Sequence, residues 1–281
     1  ALLVAAIGAV GYLTSARPPR TPHTATAVAT VVPRGKAPLS RATVLVLGRR
    51  SSARAVTLAR RGHELTITVI GGDGLGVDGL DVIAATSSAR PCGSGCYRTT
   101  LRTVPRTVDV FVDGALVDFP IPANPRPAAA IVRRVTATIR SATSVAYRER
   151  LSSGTGKALD TLWREESPNR YSYAIRRGPS AIVIGSRRYD KTGKRWIPGP
   201  QQPLPFPATQ WKGPVTNAFL LHQDARTQDV VMLDRGIPAW FTLHIDRRTG
   251  RLRSLEMIAT AHFMRHDYLG YDEPRRIFPP R

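Results

Sequence analysis

The sequence predicts a mainly β protein: a β-sandwich, then an α+β domain in which a curved antiparallel sheet wraps about a helix. Three observations predict it. Across residues 41–123, short β-favouring runs alternate with Gly- and Asp-rich turns at a spacing of 8–12 residues. One stretch, 128–144, places apolar residues at helical spacing. From 145 onward strand-like runs follow one another with no second helical stripe.

The chain opens on ALLVAAIGAVGYLTSA, residues 1–16, apolar and uncharged before Arg17. A bilayer span needs about 20 residues, so this reads as a truncated transmembrane helix or a signal segment. It predicts a membrane-attached protein with its folded parts on the extracytoplasmic side. Residues 17–40, rich in Pro, Thr, Ala and Arg without a period, read as a linker.

The strand pattern begins with ATVLVLG (42–48), RAVTLAR (54–60) and HELTITVI (63–70). GGDGLGVDG (71–79) has the composition of a turn, and it lacks the spaced acidic ligands and closing Glu of a calcium loop. LDVIAAT (80–86), YRTTLRTV (97–104), RTVDVFVDG (106–114) and ALVDFPI (115–121) complete about seven strands, as in an immunoglobulin-like module. Between them, PCGSGC holds Cys92 and Cys96. So tight a loop suits either a small disulfide or a two-thiolate metal contact. With no second Cys pair and an apolar leading segment, the disulfide is the expected state.

Residues 127–281 form the second predicted domain. In 128–144 the apolar positions are 131, 132, 135, 139 and 142, with basic residues opposite, which predicts an amphipathic helix. Strands are expected at 145–152, 158–166, 170–177, 181–190, 217–223, 229–235, 239–248 and 251–268. Residues 191–216, Pro-rich and holding Trp196 and Trp211, read as one irregular lid-like or edge-covering loop. A sheet curved about a helix leaves an apolar hollow suited to a ligand.

The formal charge is +21, from 41 Lys and Arg against 20 Asp and Glu. The basic residues occur as scattered pairs rather than runs, which argues for affinity to anionic lipid surfaces and against a nucleic-acid groove. No G-x-S-x-G elbow, phosphate loop or dinucleotide fingerprint is present, and the adjacent Glu165 and Glu166 point to opposite strand faces. The expectation is a binding protein, not an enzyme.

Residues 256–268, EMIATAHFMRHDY, hold two of the six histidines and two of the three methionines. Read as one strand, they place His262, Met264, His266 and Tyr268 on one face. Thioether sulfur and imidazole suit copper. His262, Met264 and His266, with help from Met257 or His244, are the expected metal ligands. The same face also reads as the lining of a core or greasy cavity.

Four stretches carry a resemblance: GDGLGVDGLDV (72–82), PCGSGCYR (91–98), PAWF (238–241) and MIATAHFMRHDY (257–268) before IFPP (277–280). The chain resembles the extracytoplasmic C-terminal region of actinobacterial CopD-type copper-resistance proteins, with a CopC/YtkA-like sandwich. That resemblance implies copper resistance or homeostasis, copper as cofactor, and a multi-pass membrane region upstream. The sandwich has His63 and no Met, which departs from the CopC-type copper site. In element order, and in turns such as Asp190-Lys-Thr-Gly193, the second domain is similar to the LolA/LppX lipoprotein-carrier fold. That similarity implies an incomplete β-barrel, and a carrier or sensor of a lipid-like apolar ligand as the alternative function.

Overall fold

Nine strands build the first part of the molecule; the first three are buried along most of their length and the eighth alternates strictly. The computed structural model describes residues 35–41, 44–273 and 276–280, so the apolar segment 1–16 and most of the expected linker 17–40 lie outside the described residues. One sheet runs in the order β1 (Leu45–Ser51), β2 (Arg54–Arg61), β3 (Glu64–Ile70), β7 (Cys96–Thr100), β6 (Arg90–Gly93). The other runs β5 (Ser87–Ser88), β4 (Val82–Ala84), β8 (Thr107–Val112), β9 (Ala115–Pro120). In β8 every second residue is buried: Val108, Val110 and Val112 point in, and their neighbours face solvent. They meet Leu47, Leu58, Leu65, Ile67 and Tyr97 from the facing sheet in one apolar core. The result is a two-sheet sandwich.

The turn at 71–79 is held by its own acids. Asp73 accepts from the Leu75 amide at 3.1 Å and Asp78 from the Gly95 amide at 2.6 Å. Cys92 and Cys96 are joined in a disulfide across the hairpin of β6 and β7.

The remaining strands form one open, curved, antiparallel sheet of twelve. It begins with β10 (Arg126–Pro127), then α1 (Ala129–Arg140), β11 (Ser144–Ser152), β12 (Leu159–Glu166) and β13 (Arg170–Ile175). β14 (Ser180–Ile184), β15 (Arg187–Thr192), β16 (Arg195–Pro200) and β17 (Val215–Gln223) follow. β18 (Thr227–Asp234), β19 (Ala239–Asp246), β20 (Leu252–Ala259) and β21 (His262–Tyr271) complete it. The spatial order is β10-β17-β18-β19-β20-β21-β11-β12-β13-β14-β15-β16. Both edges carry proline, Pro127 in β10 and Pro198 and Pro200 in β16, which removes donors where another strand would otherwise add.

The strands β18 to β21 are apolar on both faces because both faces are covered. Val230, Met232, Ala239, Phe241, Leu243, Met257 and Met264 pack with Val132, Val135 and Ile139 of α1. Their alternate neighbours Leu233, Trp240 and Phe263 pack with Val46, Ala55 and Ala59 of the sandwich. Val231 belongs to the sandwich core itself. At this seam Gly48 leaves room for Trp240: a Cβ on Gly48 would sit 2.5 Å from the Trp240 Cβ. Asn217, at φ 52°, donates from Nδ2 to the Arg41 and Val44 carbonyls and ties the chain entering β1 to β17.

Several expected boundaries change. The run 251–268 is not one strand. It turns at Thr260 and Ala261, the latter at φ 48°, giving the hairpin of β20 and β21. The run 181–190 likewise folds back at Gly185 into β14 and β15. Of the expected loop 191–216, Arg195–Pro200 is strand, and only 201–214 is irregular.

Candidate functional site

The irregular segment 201–214, called the strap here, joins β16 at one edge of the large sheet to β17 near the other. It therefore crosses a sheet face, the one that α1 also covers, and its apolar residues anchor it there. Phe206 is buried edge-on to Tyr171, with centroids 6.5 Å apart, and the Tyr171 hydroxyl donates to the Pro205 carbonyl at 2.6 Å. Trp211 is buried edge-on to Phe241 at 6.0 Å. The exit of the strap is pinned by Asp234, only 1% exposed, which accepts from the amides of Lys212, Gly213 and Gly236 at 2.7, 3.1 and 2.8 Å. Gly213 is required there, since a Cβ would lie 2.4 Å from the Asp234 Oδ1.

Between α1 and the end of the strap lies an open groove of ≈ 810 Å³. From the helix come Ala129, Val132, Arg133, Thr136, Ala137 and Arg140, whose spacing puts them on one side of the helix. From the strap and β17 come Thr209, Trp211, Lys212, Gly213 and Val215. The floor is apolar, and Arg133, Arg140 and Lys212 bring three positive charges to its walls. The volume lies inside the range of about 300–1,000 Å³ common for small-molecule sites.

Deeper along the same face sits a polar cluster within an aromatic wall. The Tyr147 hydroxyl donates to Glu165 at 2.7 Å. Glu149 accepts from the Trp163 indole at 3.1 Å and lies 3.0 Å from the His266 Nε2. The buried His266 ring stacks on Tyr147 at 4.3 Å, and its Nδ1 has no hydrogen-bond partner. Burial pushes the Glu165 carboxyl up to about 7; the Tyr147 bond lowers it and the negative Glu149 raises it. Burial first, and the nearby Glu165 second, raise the Tyr147 hydroxyl well above its ordinary range.

The expected metal ligands fall as follows. His262, Met264 and His266 do share a face of β21, the one toward α1, as alternation required. Met257 comes beside Met264 as its register partner across the β20–β21 hairpin. Met257 and Met264 are packed into the core under α1, which is the work the greasy-lining reading gives them. His266 is engaged with Glu149, and burial lowers the proton affinity of His262. His244 sits on the opposite face of β19 from Phe241 and Leu243 and bonds Asp229, so it cannot join them. Among the described residues no three His, Cys, Asp or Glu side chains gather as a metal site. Sequence reasoning placed an apolar hollow against the predicted helix but did not identify the strap as its second wall. The groove's residues come from one helix face and a segment some 70 residues later, and only the Pro-rich, Trp-bearing composition of 191–216 marked that segment as special.

Among the described residues no helix is long and apolar enough to cross a membrane. No family model matches the sequence, and no curated protein does. Among solved structures the chain is similar to LprF from Mycobacterium bovis, at 14% identity and TM-score 0.41, over 56% of this chain and 99% of that one. It is similar to the lipoprotein LppX of Mycobacterium tuberculosis at 12% identity and TM-score 0.36, over 53% and 97%. It is similar to a LolA superfamily protein from Nitrosomonas europaea at 10% identity and TM-score 0.25, over 55% and 96%. No CopD- or CopC-type protein stands among these three.

Proposed function

We propose that this protein is a non-catalytic binding protein for an amphiphilic, lipid-like ligand with an anionic end. The groove between α1 and the strap carries this reading: an apolar floor of Val132, Ala137, Trp211 and Val215 beneath Arg133, Arg140 and Lys212. An apolar chain on that floor is removed from water, at about 25 cal/mol per Å² buried, while an acidic headgroup meets guanidinium and ammonium donors. A binding role rather than catalysis is favoured because most polar groups of this face are engaged with one another, the His266 Nδ1 apart. Tyr147 bonds Glu165, and Trp163 and His266 bond Glu149.

An exported, membrane-attached location fits the apolar residues 1–16 and the Cys92–Cys96 disulfide, since disulfides persist in oxidising compartments. Copper handling has less behind it, because the two methionines are packed in the core and His266 is held by Glu149. Native mass spectrometry of protein purified from its own envelope tests the proposal. A co-purifying amphiphile, displaced by added oleate, is expected; protein that stays free of any amphiphile and ignores oleate would refute it.

A further inference from the structure

The strap is at once a wall of the groove and the cover over Glu165. Thr209, Trp211, Lys212 and Gly213 line the groove. Phe206, Ala208 and Gln210 close a void of only ≈ 20 Å³ whose floor includes Glu165. A second void of ≈ 20 Å³ touches Glu165 from the other side, between Arg164 and Glu273. Glu165 is half-buried, and each void beside it has room for about one water, less than an ionised carboxylate draws around itself.

The neighbours offer that charge little compensation. Of the titratable groups facing Glu165, those on β11 are Tyr147 and Glu149, that on β13 is Tyr171, and those on β21 are Tyr268 and Tyr271; Arg164 of its own strand and Glu273 beyond β21 border the second void. The strap and the end of α1 contribute Gln210, Phe206 and Ile139, none of them charged. Among the described residues no Lys, Arg or His makes an ion pair with Glu165. Arg164 borders the second void beside Glu165 without pairing with it, so in a chain of formal charge +21 this carboxyl has no ion-pair partner among the described residues.

We propose that Glu165 is a proton-operated latch on the strap: protonated, it lets the strap lie closed and the groove stand complete; ionised, it draws in water, lifts the strap and loosens the ligand. This inference rests on the binding reading above. The sign follows from linkage. A carboxyl whose closed-state affinity for protons is raised favours the closed state fully below its ordinary value of 4.5. That preference fades as pH rises through about 7. If lifting the strap returns Glu165 to ordinary hydration, the closed-to-open ratio falls on the order of 10²-fold across that window. The Tyr147 bond stabilises the ionised form, so its loss moves the transition to higher pH.

Two readouts on the full chain test the latch: affinity for anilinonaphthalene sulfonate, whose charge does not change in this range, and amide exchange in residues 201–214, corrected for its intrinsic pH dependence. In the wild type, affinity is expected to fall tenfold or more between about pH 5 and 8, with strap exchange rising in parallel. Glu165→Gln should hold both flat at the acid-side value, and Tyr147→Phe should shift the wild-type transition upward in pH. Strap exchange that ignores pH in the wild type, or a Glu165→Gln protein that follows the wild type, would overturn the latch. A probe that binds at no pH while strap exchange still titrates through Glu165 would sink the binding reading and leave the latch standing.

Discussion

Asp234 accepts the backbone amide of Lys212 at 2.7 Å, and this one bond fixes where the strap ends and where the groove begins. The carboxylate is buried and also takes the amides of Gly213 and Gly236, so three donors depend on a single side chain. Strand β18 supplies the anchor, the strap supplies two of the donors and the β18–β19 turn supplies the third. The groove therefore depends on a side chain that lies outside its own lining.

Replacing Asp234 by Ala leaves those amides without their acceptor in a site closed to solvent. A buried donor left unsatisfied costs about 1–3 kcal/mol, so a loss of roughly 2–4 kcal/mol in global stability is expected. Amide exchange should rise first at Lys212 and Gly213. Chemical denaturation with exchange mass spectrometry measures both, and protection at Lys212 and Gly213 equal to the wild type would contradict the assignment.

The seam between sandwich and large sheet gives a second expectation. Gly48→Ala places a methyl 2.5 Å from the Trp240 Cβ, where backbone or ring must move. Overpacking of this kind costs about 1–3 kcal/mol. A thermal melt should show a lower midpoint, and a melt unchanged from the wild type would mean that the two layers are not packed this closely.

Much of this architecture was legible from residue pattern. Alternation marked β8 and β11, and the stripe at 132, 135 and 139 marked α1. What the pattern could not give was pairing. The turn at Thr260 and Ala261 has no Gly, Pro or Asn, and Ala261 adopts a positive φ that alanine seldom takes, so two strands read as one. Because of that hidden turn, Met257 reaches Met264 by register rather than along a strand. The unbroken apolar runs of β18 and β19 fit helix core and strand core alike, and only the two-sided cover by α1 and the sandwich explains them. The second wall of the groove was illegible for a related reason, since residues 129–140 and 209–215 are brought together by the path of the strap.

Charge at the groove wall gives a third expectation. Arg133 and Arg140 are exposed, so Arg133→Glu with Arg140→Glu should fold with little change in stability, apart from roughly 0.3–1 kcal/mol lost where Arg140 closes the helix C-terminus. Oleate affinity should fall by about tenfold or more at low salt, and the gap from the wild type should narrow as salt screens the wild-type attraction. A fluorescence titration at two ionic strengths reads this out; equal affinity at both would remove the anionic headgroup from the proposal.

The most direct measurement of the central claim is calorimetric titration of oleate into the wild type and into Thr136→Trp. Thr136 lines the groove from the helix and Asp234 does not line it, so a larger ring at 136 fills the space from the helix side. If the groove holds the ligand, the wild type binds and Thr136→Trp loses most of that affinity while melting as the wild type does. Undiminished binding in a folded Thr136→Trp protein would place the ligand elsewhere and contradict the account.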